Sequence, residues 1–256
     1  MSIGDAEIKT QERVIRFFKD PEILGYQYIG NLSDNQNKNI KEDRLRQYLR
    51  LKGYADKLID AAVMQFQQEA GNLSRGGYDA NKTVYSRLKY GIPVSESPEK
   101  PPVTVELIDE ANPLNNDFAI AEEVTVVEQQ EKRPDLVVYL NGIAVAVIEL
   151  KRSSISVSEG IRQNLTNQKD SFIRGFFTTM QFCMAGNESE GLRYGTLLTG
   201  EKFYMEWKDD GFKEHEEERD PVDIRISETC AEIENKLLKQ IYAMFDKERF
   251  IDLIMN

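Results

Sequence analysis

The chain has 256 residues, 40% of them hydrophobic, and a formal net charge of −11. That length supports a substantial core, in one large domain or a domain with a small subdomain, while no apolar run approaches the roughly 18 residues of a membrane span. The acidic balance argues against strong autonomous binding to nucleic acid, which rests on neutralising phosphates, but leaves room for a local basic path, a bound metal or DNA delivered by another domain.

The start, MSIGDAEIKTQER, is polar and has no signal-peptide core, so a cytoplasmic location without a membrane partner is expected. Residues 5–18 place Ile8, Ile15 and Phe18 on a helical spacing with Val14 beside them, which predicts a first helix. GYQYIG follows as a short aromatic stretch bounded by Gly25 and Gly30. NIKEDRLRQYLRLKG opens on an Asn39-x-x-Glu42 capping signal and stops at Gly53. DKLIDAAVMQFQQEAG predicts a helix with Leu58, Ile59, Ala62, Val63 and Phe66 inward, and YDANKTVYSRLKYG another, stopped by Gly71 and Gly91 respectively. GIPVSESPEKPP, with Pro93, Pro98, Pro101 and Pro102, marks a linker or exposed loop. Beyond it VTVELID, FAIAEEVTVVE, DLVVYL, IAVAVIELK, YGTLLTG and KFYMEW read as strands of one sheet, interrupted by a helix at about 157–172 and followed by a last helix from Ser227. The acidic run EHEEERD (214–220) reads as a solvated loop or helix end. The order predicts an α/β fold with a central mixed β-sheet flanked by helices. It divides into a helical N-terminal part over 1–92, a core over 103–226 and a C-terminal helix over 227–256.

The chemistry concentrates in RPDLVVYLNGIAVAVIELK. Two apolar strands flank Asn141-Gly142, a strong hairpin signal. Alternation puts Glu149 and Lys151 on one face with Ile143, Val145 and Val147, and Ala144, Ala146, Ile148 and Leu150 on the other. Both faces are apolar, so the strand is central and covered on both sides; charges at its end are costly unless paired or bound. Register decides whether Asp135 joins them. A two-residue turn with regular pairing sets 140 against 143 and 135 against 148, facing away from Glu149. A three-residue loop ending in a bulge at Gly142 sets 135 against 147, on the face of Glu149. A converging site therefore predicts a bulged hairpin or an equivalent irregularity.

Two carboxylates a few Å apart repel unless a divalent cation lies between them, and hard oxygen ligands completed by waters and a phosphate suit Mg²⁺, with Mn²⁺ as a substitute. Such a metal polarises a phosphoryl oxygen and acidifies a water, while Lys151 orients that water or offsets charge on the phosphate. The plainer alternative is a salt-bridged strand end at Glu149 and Lys151, with Asp135 a turn residue after Pro134.

Pro-Asp, thirteen residues and Glu-x-Lys across a hairpin resemble the PD-(D/E)xK nuclease core, a restriction-endonuclease-like fold. RPDLVVYLNGIAVAVIELK, VELIDEANPLNNDFAIAEEVTV, YDANKTVYSRLKYG, FFTTMQFCMAGN and GLRYGTLLTGEKFYMEW together resemble the nuclease region of the R (restriction) subunit of type I restriction–modification enzymes, over most of residues 75–210. The resemblance implies Mg²⁺-dependent endonucleolytic cleavage of double-stranded DNA, with Asp135 and Glu149 as metal ligands and Lys151 as catalytic lysine. A Gln-x-x-x-Tyr motif of the family falls on the helix opened by the capping box Ser156-x-x-Glu159. Gln163 matches its glutamine, whereas Asn167 stands at the tyrosine position, and the alternative Gln168-x-x-x-Phe172 also lacks the hydroxyl. Glu12 is the candidate for an acid on the first helix. The family implies methylation and specificity subunits as partners, and ATP only through a motor domain. GNLSRGGY (71–78) and GTLLTGEK (195–202) are not phosphate-cradling loops, so a larger subunit with the motor elsewhere is expected.

Other chemistries find little support. The single histidine, His215, sits in the acidic run, which disfavours a histidine-activated nucleophile, and the two cysteines, Cys183 and Cys230, are distant and expected to be reduced thiols. The competing function is a catalytically inactive nuclease-fold module that docks proteins in a DNA-processing complex; intact Asp135, Glu149 and Lys151 argue against it.

Overall fold

Strands that are apolar on both faces must be covered on both faces, and the Leu136–Leu140 and Ile143–Leu150 segments are buried along their whole lengths. The computed structural model describes residues 3–97, 99–212 and 219–256, so most of the acidic run lies outside the described residues. Its first part holds α1 (Ile3–Lys19), β1 (Gln27–Asn31), α2 (Glu42–Leu51), α3 (Asp56–Gly71) and α4 (Gly77–Tyr90). Then come β2 (Ile92–Val94), β3 (Val103–Val105), β4 (Phe118–Glu122), β5 (Val126–Val127), β6 (Glu131–Lys132), β7 (Leu136–Leu140), β8 (Ile143–Leu150) and α5 (Val157–Asn167). The remainder is β9 (Phe182–Asn187), β10 (Gly191–Gly195), β11 (Met205–Glu206), α6 (Pro221–Glu232), α7 (Lys236–Phe245) and α8 (Lys247–Met255). Among the described residues no helix is long and apolar enough to cross a membrane.

The mixed α/β expectation holds. A seven-stranded sheet runs β1-β4-β7-β8-β9-β10-β11, with β1–β4 and β8–β9 parallel and the other neighbours antiparallel. One face carries Leu136, Val138 and Ile148 into a core shared with Phe18 of α1, Leu45 of α2, Phe66 of α3, Ile241 of α7 and Phe250 of α8. The opposite face, through Val137, Tyr139, Ala144, Val147 and Cys183, packs on Ile173, Phe176, Phe177 and Met180. Helix α5 is the crossover between parallel β8 and β9 and seals one end of that face through Val157 and Ile161 on Ala185.

Several expected strands sit elsewhere. Val103–Val105 pairs with β2 in a separate ribbon, β5 pairs with β6 in another, and only the first two residues of YGTLLTG continue β10. GYQYIG and FCMAGN supply two sheet strands, β1 and β9, that were not expected as strands. The C-terminal helix divides into α6, α7 and α8 because Asn235 and Asp246 each cap a new start, Asn235 accepting from Leu238 N and Asp246 from Glu248 N and Arg249 N. Asn39 does not cap α2; its Nδ2 donates to Gly175 O and Thr178 Oγ1.

The hairpin register departs from both simple alternatives. Its turn is the two-residue kind: Asn141 and Gly142 have φ of 52° and 81°, and Leu140 pairs with Ile143, so there is no bulge at Gly142. The irregularity lies within β8. Tyr139 pairs with Ala144 but Val138 with Ala146, which leaves Val145 as an extra residue whose carbonyl accepts from Gln181 N at 2.8 Å. The bulge inverts the faces beyond it. Ile143 and Val145 stand in the large core together with Ala146, Ile148 and Leu150, while Val147 turns to the opposite face with Val137. Leu136 opposes Ile148, so the next step of the register sets Asp135 against Glu149, both on the face of Val137 and Val147.

The turn is itself clamped. Asn141 Oδ1 accepts from Asp117 N at 2.7 Å and its Nδ2 donates to Leu107 O at 2.8 Å. A Cβ on Gly142 would lie 2.6 Å from Lys41 O and 2.8 Å from Leu45 N at the start of α2, in a left-handed conformation that already disfavours a side chain. Gly142→Ala is expected to destabilise the fold by about 2 kcal/mol or more. Urea unfolding followed by the fluorescence of Trp207 measures this, and an unchanged midpoint contradicts the clamp.

Candidate active site

Three side chains meet where β7 begins and β8 ends. Asp135, immediately before β7, uses Oδ2 to accept from Leu150 N at 2.7 Å, so its carboxylate carries the hairpin ladder one step past the last strand pair. Glu149 has no exposed surface, and no donor of the protein reaches either of its carboxyl oxygens. Lys151, just past β8, donates its backbone N–H to Gly186 O at 2.9 Å. Its Nζ donates to Leu150 O at 2.9 Å and lies 3.9 Å from Asp135 Oδ2. Helix α5 covers the site closely because Gly160 faces it; a Cβ there would meet Ala185 Cβ at 2.9 Å and Glu149 Cβ at 3.4 Å.

Burial dominates the electrostatics. It pushes the Asp135 carboxyl up to about 6, against the pull of Lys151 and the Leu150 N–H, with Glu123 and Glu7 adding to the rise. Burial also raises Glu149 well above the usual carboxylate range, and the Asp135 charge raises it further. Desolvation pulls Lys151 down, but Asp135, Glu149 and Glu7 more than offset it and hold the ammonium above its usual value. The site is a strongly acidic pocket around one retained cation.

The first helix contributes Glu7, not Glu12. Glu7 Oε1 accepts from Lys151 Nζ at 3.0 Å, whereas Glu12 is exposed. Helical spacing favoured neither; Glu7 becomes identifiable only once the sheet is assembled. Beside Lys151 lies an open pocket of about 420 Å³, lined by residues of α5 that include Gln163 and Asn167. Gln163 is half-buried there. Asn167, at 2% exposure, accepts from Ile173 N through its backbone oxygen, and Gln168 is committed to Leu198 N through Oε1 at 2.7 Å. The structure thus brings Asp135, Glu149 and Lys151 together, sets Gln163 at the edge, and leaves the Gln168 alternative in a structural role.

Residues 7–203 match the sequence profile of the family described as Type I restriction enzyme R protein N terminus. The chain belongs to that family. A protein of Methanocaldococcus jannaschii, provisionally named a type I restriction enzyme MjaIXP endonuclease subunit, is 34% identical over 97 residues, covering 35% of this chain and 9% of that relative. The chain therefore matches a small part of the length of that relative.

For this member of the R protein N-terminus family, the donors can be tested against a divalent cation. Among the described residues no group of three or more His, Cys, Asp and Glu side chains is arranged to hold a metal, so the protein would offer two carboxylates. Those two fit a hard cation: both Glu149 oxygens are buried without a donor, and the group facing them is a second carboxyl rather than an N–H or O–H.

The metal-free site should weaken the fold as pH rises. A carboxyl held near 6 in the folded chain and near 3.8 when free binds its proton more tightly when folded, worth roughly 3 kcal/mol. That stability is present below about pH 4 and is lost as pH climbs through 6. Glu149→Gln replaces the partner carboxyl with an amide that can donate to Asp135. In EDTA its melting temperature should match wild type near pH 4 and exceed it by about 2–4 °C per kcal/mol at pH 7.5. Adding Mn²⁺ should raise wild type alone. A variant equal to or less stable than wild type at pH 7.5 contradicts the reading of the two carboxyls as a strained pair.

Proposed function

We propose that this chain is the nuclease region of a type I restriction enzyme R subunit and that it hydrolyses phosphodiester bonds of double-stranded DNA with Mg²⁺. The observation that carries the reading is Glu149: a fully buried carboxyl without a donor, facing Asp135 and Lys151 across a bulged hairpin. A structural strand end would pair such a group or dispense with it.

Asp135 and Glu149 would hold the cation. When bound, Mg²⁺ supplies Lewis-acid polarisation of the phosphate and a more acidic water. Lys151 Nζ stays protonated at neutral pH, donates to the attacking water or a phosphate oxygen, and stabilises negative charge growing on phosphorus. Glu7 anchors that ammonium, and the Lys151 N–H bond to Gly186 O fixes its backbone. Gln163, at the pocket edge, would donate its amide to the DNA strand. ATP-driven translocation and recognition of the target sequence fall to other parts of the assembly, with the methylation and specificity subunits as partners.

Asp135→Ala and Lys151→Ala in the assembled enzyme should each lower DNA cleavage by about 10²–10³-fold or more while leaving assembly intact. EDTA should abolish wild-type cleavage, and Mn²⁺ should restore it. In a crystal of this chain soaked in Mn²⁺, an anomalous peak is expected between the Asp135 and Glu149 carboxyls. Full restriction by Asp135→Ala would return the chain to the docking-module alternative.

A further inference from the structure

The net charge is −11, yet four of the five charged residues that line the pocket beside Lys151 are cations: Lys132, Arg133, Lys151 and Arg162, against Glu159. Two walls build it. One is the end of the β5–β6 ribbon, pinned to the loop that follows α5 by Gln129 N on Phe172 O at 3.2 Å and Gly175 N on Glu128 Oε2 at 2.8 Å. Lys132 Nζ lies 4.7 Å from the centre of the Phe172 ring on the same wall. The other wall is the outer face of α5.

Each wall presents an arginine held by a carboxylate. Arg133 Nε lies 2.6 Å from Glu123 Oε2, and Arg162 meets Glu201 through Nε at 3.0 Å and a terminal nitrogen at 2.9 Å. Glu123 adopts a left-handed φ of 51°, costly for a residue with a Cβ, and is fixed there by its N–H on Asp135 O at 2.8 Å and by Gln11 Nε2 at 3.1 Å. Strained backbone is thus spent on holding Arg133 at the pocket mouth. The arginine side chains are 56% and 55% exposed, so their carboxylate pairs contribute little and exchange readily. A phosphate offers the same fork the same geometry.

We propose that this pocket seats a phosphate adjoining the one cut, with Arg133 and Arg162 exchanging Glu123 and Glu201 for oxygens of a single DNA strand. The assignment rests on the nuclease reading and adds to it a substrate-positioning groove, distinct from the residues that perform the cleavage.

The test is binding of the full chain, in EDTA, to a short fluorescent DNA duplex and to one of its strands alone, over a salt series. Arg133→Ala and Arg162→Ala should each weaken binding by about tenfold and reduce the slope of log K against log salt by about one. The loss should occur on duplex and single strand alike. Arg133→Gln and Arg162→Gln, which keep side-chain length, should follow the alanine variants. Glu201→Gln, which removes the two-point carboxylate partner of Arg162 and leaves it only Glu159 at 2.8 Å, should tighten binding by about threefold relative to the control Glu234→Gln at an exposed site. The proposal is overturned by unchanged slopes in the arginine variants, by no tightening in Glu201→Gln, by a loss confined to the duplex, or by no salt-dependent binding in wild type. Because binding is read without metal, a chain that binds as expected but whose Asp135→Ala and Lys151→Ala variants restrict fully in the assembled enzyme sinks the nuclease reading alone. A chain whose arginine variants cut with unaltered KM and bind with unaltered slope sinks the groove alone.

Discussion

Keeping a carboxyl dry is the constraint on which the site depends. Glu149 lies on a strand whose eight residues are all buried, with a sheet neighbour on each side and Gly160 of α5 packed against its Cβ. In that setting an ionised carboxylate without donors is strongly disfavoured, and a second carboxyl on the paired strand makes it more so. Everything that holds Glu149 in place is rigid: the clamped Asn141-Gly142 turn, the ladder bond from Leu150 N to Asp135, and the parallel strand β9 beside it. The cost is therefore borne by a framework that cannot relax it away, which is how a fold maintains a strained functional group.

A single inserted residue makes that arrangement possible. With regular pairing from a two-residue turn, Asp135 would oppose residue 148 and keep the smaller face with Val137 and Tyr139, while Glu149 would follow Ile143 and Val145 into the large core, away from Asp135. Val145 shifts the register by one, rotating Val147, Glu149 and Lys151 together onto the smaller face. That face is the one α5 covers only in part, so the carboxyls are desolvated while an opening persists beside Lys151. The bulge is held from outside the hairpin, by Gln181 N on the Val145 carbonyl. The placement of Glu149 and Lys151 thus depends on the segment leading into β9, not on the hairpin alone.

The same residues explain what the sequence made legible. Asp135, Glu149 and Lys151 stood out because charges at the end of an apolar strand are anomalous on any register. The four N-terminal helices stood out through apolar spacing or through the glycine stops at Gly53, Gly71 and Gly91. The bulge position did not, since Val145 is as apolar as its neighbours and alternation cannot reveal which valine is extra. Its presence was inferable, from the need to converge, but its location was fixed by tertiary contacts. Strands β1 and β9 were hidden by their glycines, and β9 also by its Cys and Met content, which carries little strand signal. Glu7 was inaccessible for a different reason: an acid at either position 7 or 12 suits an exposed helix, and only the docking of α1 near β8 selects one. The C-terminal breaks at Asn235 and Asp246 were readable in principle, as capping residues inside an apparently continuous helical run.

Electrostatics separate the competing functions more sharply than the fold does. A docking module gains nothing from a buried carboxyl without donors that faces a second carboxyl; mutation of Glu149 to an amide or apolar residue would relieve the repulsion and stabilise the hairpin. A hydrolase does gain, because the same repulsion becomes affinity once a hard cation lies between the carboxyls, and the retained ammonium of Lys151 becomes a donor aimed at a phosphate. The acidity of the whole chain then ceases to be an objection. On the proposed reading, long-range attraction to DNA would not be required, because a larger assembly would deliver the substrate. That reading would require only a local cluster of cations at the point of contact, and Lys132, Arg133 and Arg162 stand beside Lys151 to supply it.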